Sequence, residues 1–277
     1  MKSLLSVPGA LALEQLRTGN TVLAFDLDGT LAPLTAHRSQ AFVPASTAAR
    51  MEALMRDWPV AVITGRAVED ASERLNFSPH YLLGNHGAEC RPTADGRMDW
   101  YAKHEGAHHT KSLDACRAQL AQWHPDFIEQ GVQIEDKGLS IAIHYREAFF
   151  VSQTEQWLRS IFPPGGMTWS GRNEMQAVTV SWGHRVINIV GAAAPNKGHA
   201  LLEIMRDCGA STALMVGDDI NDEPAFAALP AGSVAVRIGA ACSRVARGDD
   251  SPAAASFNLP NQKMMEPFLY MLLSLRR

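Results

Sequence analysis

The chain has 277 residues, 46% hydrophobic and 19% charged, with a formal net charge of −4. That balance excludes a disordered chain and a general basic surface for nucleic acid, and no apolar run reaches the ~20 residues of a bilayer span. Four cysteines (Cys90, Cys116, Cys208 and Cys242) form no CxxC pair, so a reduced, cytoplasmic protein is expected.

The first twenty residues, MKSLLSVPGALALEQLRTGN, hold a short apolar stretch broken by Pro8, Gly9 and Glu14, which predicts a leading helix rather than a signal peptide. Short β-rich apolar runs then recur at 21–25 (TVLAF), 60–64 (VAVIT), 80–84 (HYLLG), 212–217 (TALMVG) and 233–239 (SVAVRIG). Helix-like stretches at 45–57 and 197–208 lie between them. Apolar strands alternating with helices predict an α/β core with a parallel sheet covered on both faces.

Residues 106–190 read differently. A helix-like stretch at 110–123 precedes VQIED and LSIAIHYR, and a second at 152–162 runs into a PPGG break. AVTVSW and RVINIV follow, joined by Gly183 and His184. Two helices with a mostly antiparallel sheet suit this order. The expected organisation is a core from 1–105 and 191–277, with an α/β lid inserted at 106–190. His104, His108 and His109 have no cysteine at a metal spacing, so a solvated face is expected there rather than a zinc site. The C-terminal MMEPFLYMLLSLRR predicts an amphipathic helix closing the core.

In α/β sheets of this kind ligands bind beyond the C-terminal strand ends. Asp26 and Asp28 follow the first run there, in DLDGT, and Asp218 and Asp219 follow the fourth, in GDDINDE. Alone, each signal is weak. A DxD is usually a polar strand end, Thr64 in ITGR suits a turn, and Lys197 suits a surface. Together and in order they point to phosphoryl transfer. Clustered carboxylates repel unless a hard cation binds, and Mg²⁺ takes carboxylate and phosphate oxygens. A carboxylate can attack phosphorus, while a lysine, a hydroxyl and backbone N–H groups hold the phosphate oxygens.

These four motifs, in this order, resemble those of the haloacid dehalogenase superfamily of phosphatases. The resemblance implies a Rossmann-like parallel-sheet core with an inserted cap. It implies Asp26 as nucleophile and Asp28 as general acid/base. It also implies Thr64, Gly65 and Lys197 as phosphate-binding, and Mg²⁺ held by Asp26, the backbone carbonyl of Asp28, and Asp218. Asp222 would support the site, and Asp219 is either a ligand or a plain loop acid.

DLDGTLAPL, ITGR, LLGNHGAE, EDKGLSIAIHYR and GDDINDEPAF are similar to stretches of the trehalose-6-phosphate phosphatases within that superfamily. This implies hydrolysis of trehalose 6-phosphate, or of another sugar or glycosyl phosphate, with any coupling to a trehalose-phosphate synthase made through a separate protein. Glu135 and Lys137 of the lid would grip the remote glucose ring; the alternative for them is a surface ion pair. Asn85 and His86 would line the substrate pocket. Arg66 is placed with the substrate-facing residues, where it either meets phosphate or pairs with acids; Arg146 has the same two readings. His144, alternating with apolar neighbours, reads as a satisfied sheet histidine. One departure stands out. The family pattern carries a glutamate where this chain has Asn188, a position implied to contact the sugar. A phosphosugar mutase, or a non-catalytic sugar-phosphate regulator, is the competing reading. The lid position disfavours the first and the intact acid set disfavours the second.

Overall fold

The computed structural model describes residues 2–17, 19–35, 37–91, 113–170, 175–183, 185–239 and 255–275. The apolar run at 21–25 forms a strand buried along its whole length, with Leu23 and Phe25 in one apolar cluster and Val22 and Ala24 in another. Successive strand residues point to opposite faces, so this pattern marks a sheet covered on both sides.

In chain order the strands are β1 (Lys2–Ser3), β2 (Thr21–Phe25), β3 (Val60–Ile63), β4 (Tyr81–Gly84) and β5 (Glu89–Cys90). Next come β6 (Gln133–Asp136), β7 (Ser140–His144), β8 (Gly165–Ser170), β9 (Met175–Gly183) and β10 (Val186–Gly191). The last are β11 (Thr212–Gly217), β12 (Val234–Ile238) and β13 (Phe257–Leu259). The helices are α1 (Val7–Gln15), α2 (Ala45–Leu54), α3 (Val68–Arg74), α4 (Asp114–Glu129), α5 (Val151–Ile161), α6 (Lys197–Cys208), α7 (Glu223–Ala228) and α8 (Met265–Ser274).

The described residues divide into two compact units, one holding those up to 91 and from 195 onward, the other those from 113 to 194. The expected cuts were 106 and 190. In the first unit the sheet order is β1-β13-β12-β11-β2-β3-β4-β5. All neighbours are parallel except β4 and β5. From β2 the chain steps outward through β3 and β4, then returns to lay β11 on the other flank of β2. That reversal puts the C-terminal ends of β2, β3 and β11 side by side, where such sheets bind ligands. One face packs on α1, α2, α3 and α8 through Leu13, Met51, Ala71 and Phe268; the other packs on α6 and α7 through Leu201, Ile204 and Phe226. Thus the C-terminal helix does close the core. The edge strands β1 and β5, and β13 beside β1, have only two or three residues, too few to show a period of two in sequence.

The second unit holds a five-stranded antiparallel sheet in the order β6-β7-β10-β9-β8. Ile141, Ile143, Ile187, Ile189 and Val180 form one face, buried with Phe127 of α4 and Leu158 of α5. Two features depart from the expectation. The strand β8 follows the break at Pro163 and Pro164 directly. And α4 runs through Pro125 to Glu129 instead of ending at 123. Phe127 explains the second: fully buried, it meets Trp123 edge-on and also packs on Trp157. Burying such a side chain gains about 2–3 kcal/mol, comparable to the ~3 kcal/mol an interior proline costs.

His104, His108, His109, His184 and Cys242 lie outside the described residues. Among the described residues no helix is long and apolar enough to cross a membrane.

Candidate active site

The Asp26 N–H donates to the Val216 carbonyl at 2.9 Å, which ties the end of β2 to the end of β11. A tight turn follows, closed by Gly29 N–H to Ala32 O (2.8 Å) and Ala32 N–H to Leu27 O (2.8 Å). Gly29 sits at φ +80°, and a Cβ there would lie 2.1 Å from Asp218 Oδ2. The glycine of DLDGT therefore serves the neighbouring strand: only a residue without a side chain lets Asp218 come that close.

Lys197 opens α6, whose first turn is capped by the Asn196 side chain accepting from Gly198 and His199 N–H. Its ammonium donates to Asp26 Oδ1 at 2.7 Å and to Asp222 Oδ1 at 2.6 Å. All three residues are buried. Burial alone would lower the Lys197 ammonium, but Asp222 and Asp26 outweigh it and hold its pKa above the usual lysine value. Asp222 Oδ2 accepts from the Asp219 N–H at 3.0 Å, so both its oxygens are occupied by protein donors. Asp219 Oδ1 in turn accepts from the Ile220 N–H at 2.7 Å.

Asp218 is different. Its Oδ1 is buried without a hydrogen-bond partner among the described residues. One carboxylate oxygen from each of Asp26, Asp218 and Asp222 lies within 4.8 Å of the others. Burial, reinforced by the neighbouring acids, pushes Asp26 up to about 7 and Asp218 well above the ordinary carboxylate value. Burial and Asp222 raise Asp219 to about 6. An orphaned carboxylate oxygen facing further carboxylates is costly alone and suits a hard divalent cation, whose preferred ligands are such oxygens. The residues present fit that group.

Asp28 accepts two hydrogen bonds of 2.7 Å, from Arg66 Nε and Nη2. The buried Arg66 also donates through Nη1 to Asp70 at 2.8 Å, and Asp70 is held by Arg74. Of the two readings of Arg66, the structure shows the pairing with acids. Its N–H donates to Thr64 Oγ1 at 3.2 Å. His86 N–H donates to the Thr64 carbonyl at 2.9 Å, and the His86 ring fills the space where a Cβ on Gly65 would stand, 2.5 Å from Cε1. Asn85 and His86 both adopt left-handed backbone, φ 49° and 59°, which L residues seldom do. The conformation is held by Asn85 N–H to Arg66 O (2.7 Å) and Asn85 Nδ2 to Glu89 (2.9 Å), and Gly87 lies against Ala200 of α6. GNHGAE thus braces both the Thr64 loop and the helix that carries Lys197.

Glu135, Lys137 and Asn188 belong to the second unit. Glu135, Ala142, Asn188 and Ser181 are paired in register across β6, β7, β10 and β9, so they share the face opposite the apolar cluster. Glu135 Oε2 lies 2.9 Å from His144 Nε2 and 4.0 Å from Lys137 Nζ. His144 is the satisfied sheet histidine expected.

Sequence reasoning passed over Asp70, Glu89 and Arg237. The first two look like helix and edge acids in any local window. Arg237 did leave a signal, a lone charge inside the apolar strand VAVRI, where local pattern and burial conflict.

A parallel sheet with DxD at its central strand, threonine at the next, a lysine opening the returning helix and an acidic loop after β11 defines a haloacid-dehalogenase-type phosphatase fold. A family model described as trehalose-phosphatase matches residues 24–262. The chain belongs to the trehalose-phosphatase family, whose reaction class is phosphoric monoester hydrolysis and whose substrates are sugar phosphates. It is 30% identical over 230 residues to a probable trehalose-phosphate phosphatase of Sinorhizobium fredii, covering 79% of this chain and 78% of the relative. It is 31% identical over 224 residues to the trehalose-phosphate phosphatase of Mycobacterium avium, covering 76% of this chain but 51% of that protein. The chain therefore spans about half the length of the mycobacterial relative. Among solved structures, the C-terminal domain of the C. albicans trehalose-6-phosphate phosphatase superposes with TM-score 0.71 at 18% identity, with both chains covered in full. The sucrose-phosphatase of Synechocystis superposes with TM-score 0.55 at 17% identity, covering 91% of this chain and 98% of that one. At such identities the structural likeness speaks for the fold.

Proposed function

We propose that this chain hydrolyses trehalose 6-phosphate to trehalose and phosphate through an aspartyl-phosphate on Asp26, with Mg²⁺ as its cation. The observation that carries the reading is the buried Lys197 bridge between Asp26 and Asp222, set beside the orphaned Asp218 oxygen.

Asp26, Asp218 and the backbone carbonyl of Asp28 would hold Mg²⁺, which neutralises charge between an anionic nucleophile and an anionic phosphate. Lys197 fixes the Asp26 carboxylate in one rotation. Asp26 attacks phosphorus and the bond from phosphorus to the sugar oxygen breaks. Asp28 gives its proton to the departing oxygen, then takes one from the water that attacks phosphorus and releases Asp26. To do so, Asp28 gives up at least one of its Arg66 contacts. Arg66 thus orients the acid from beneath, and Asp219 and Asp222 shape the loop around Asp218. Thr64, the Gly65 N–H and Lys197 hold the phosphoryl oxygens. Glu135, Lys137 and Asn188 read sugar hydroxyls, with Asn85 and His86 as pocket walls.

A second reading, another glycosyl phosphate as substrate, is favoured by one observation: Asn188 shares its sheet row with Glu135 and brings an amide where the family pattern has a carboxylate. The test is Mg²⁺-dependent phosphate release across a panel of sugar phosphates. Trehalose 6-phosphate should lead it, and a different disaccharide phosphate leading by tenfold would establish the second reading.

A further inference from the structure

We propose that Arg237 is a positioning residue for the cation site, clamping the backbone of the acidic loop 218–223 from below. The inference rests on the metal reading given above.

Arg237 stands on β12 directly opposite Gly217, the last residue of β11. Alternation along VAVRI puts it on the same sheet face as Ala235, against α7. It is fully buried. Its Nη1 donates to the carbonyls of Asp218 and Asp219 at 3.2 and 3.3 Å. Its Nη2 pairs with Glu223, the first residue of α7, and its guanidinium carbon lies 5.2 Å from the centre of the Phe226 ring. One side chain therefore grips both ends of the loop.

A buried guanidinium is costly and persists only with well-placed partners. An aliphatic residue would fill an otherwise apolar face without that cost, so packing alone gives no reason for an arginine here. The orphaned Asp218 Oδ1 supplies one. Among the described residues no donor orients that oxygen, so its direction depends on the Asp218 backbone, and Arg237 holds the carbonyl of that residue. Joining two carbonyls to a carboxylate takes the planar fork of arginine, which lysine lacks.

The test is direct Mn²⁺ binding, followed by electron paramagnetic resonance on the full chain without substrate, for wild type, Arg237→Lys and Arg237→Met. Thermal unfolding in chelator is read in parallel. Altering a partner of a metal ligand typically costs about 10–100-fold in metal affinity. We expect a loss of at least tenfold in both variants, including any that unfolds at the wild-type temperature in chelator. Mn²⁺ affinity within twofold of wild type in a folded variant overturns the proposal. If neither variant folds, Glu223→Gln decides, because it loosens the same clamp from α7: a loss of threefold or more supports the proposal and unchanged affinity overturns it. Wild-type protein that takes up no Mn²⁺ would overturn the metal reading and this inference together. Normal wild-type uptake with indifferent variants removes only the role of Arg237.

Discussion

Lys197 is the residue at which the separate motifs become one site. Its ammonium is buried between Asp26 from β2 and Asp222 from the turn after β11. Removing one partner of a buried ion pair typically costs about 3–5 kcal/mol. Here two carboxylates would be stranded, so Lys197→Met should lower stability by at least ~3 kcal/mol in urea titrations; a change under ~1 kcal/mol would mean the bridge contributes little. Asp26→Asn should keep the fold and lose turnover by ~10³-fold or more, since an amide cannot form the acyl phosphate. Steady phosphate release by pure, folded mutant at a tenth of the wild-type rate would remove Asp26 as nucleophile. Legibility at this scale follows a simple rule. Asp26, Thr64, Lys197 and Asp218 could be picked out because each sits next to a strand end or helix start marked by its neighbours. Arg237 and Asp70 could not be assigned, because their meaning lies in partners 18 and 4 positions away on other elements or turns.

Among the elements, the alternating faces of β10 carry the question of specificity. Ile187 and Ile189 enter the apolar cluster, which turns Asn188 to the opposite face in register with Ala142 and, across it, Glu135. The run RVINIV marked the strand in sequence, but with valines two positions either side of Asn188 it did not mark the face. Its register with Glu135 was not visible, since pairing across three strands is set by tertiary packing. The same limit hid the continuation of α4 past Pro125, which depends on Phe127 meeting Trp157 from α5. If Asn188 reads a sugar hydroxyl, Asn188→Glu adds a charged acceptor, worth about 1–2 kcal/mol. It should raise kcat/KM for trehalose 6-phosphate about tenfold while leaving a small generic phosphate ester unchanged. Equal kinetics for both proteins on trehalose 6-phosphate would take Asn188 out of the sugar contacts.

For the whole molecule, the acidic cluster couples stability to pH and metal. In metal-free protein Asp26 is raised from the ordinary 3.8 to about 7, and Asp219 to about 6. Between those values the folded chain holds protons that the unfolded chain has released, so stability falls as pH rises through that window. The unfolding temperature in chelator should drop by at least ~2 °C from pH 5 to pH 7.5. Bound cation replaces those protons, so the stabilisation by Mg²⁺ should be larger at pH 7.5 than at pH 5. A metal-free protein that gains stability over this range would contradict the burial of the cluster. The most direct measurement of the central claim is phosphate release from trehalose 6-phosphate by chelator-treated protein, before and after Mg²⁺ is returned. Release should be absent in chelator, restored by Mg²⁺, not restored by Ca²⁺, and absent throughout in Asp26→Asn; full release in chelator with negligible metal, or none from any sugar phosphate with Mg²⁺ present, would contradict it.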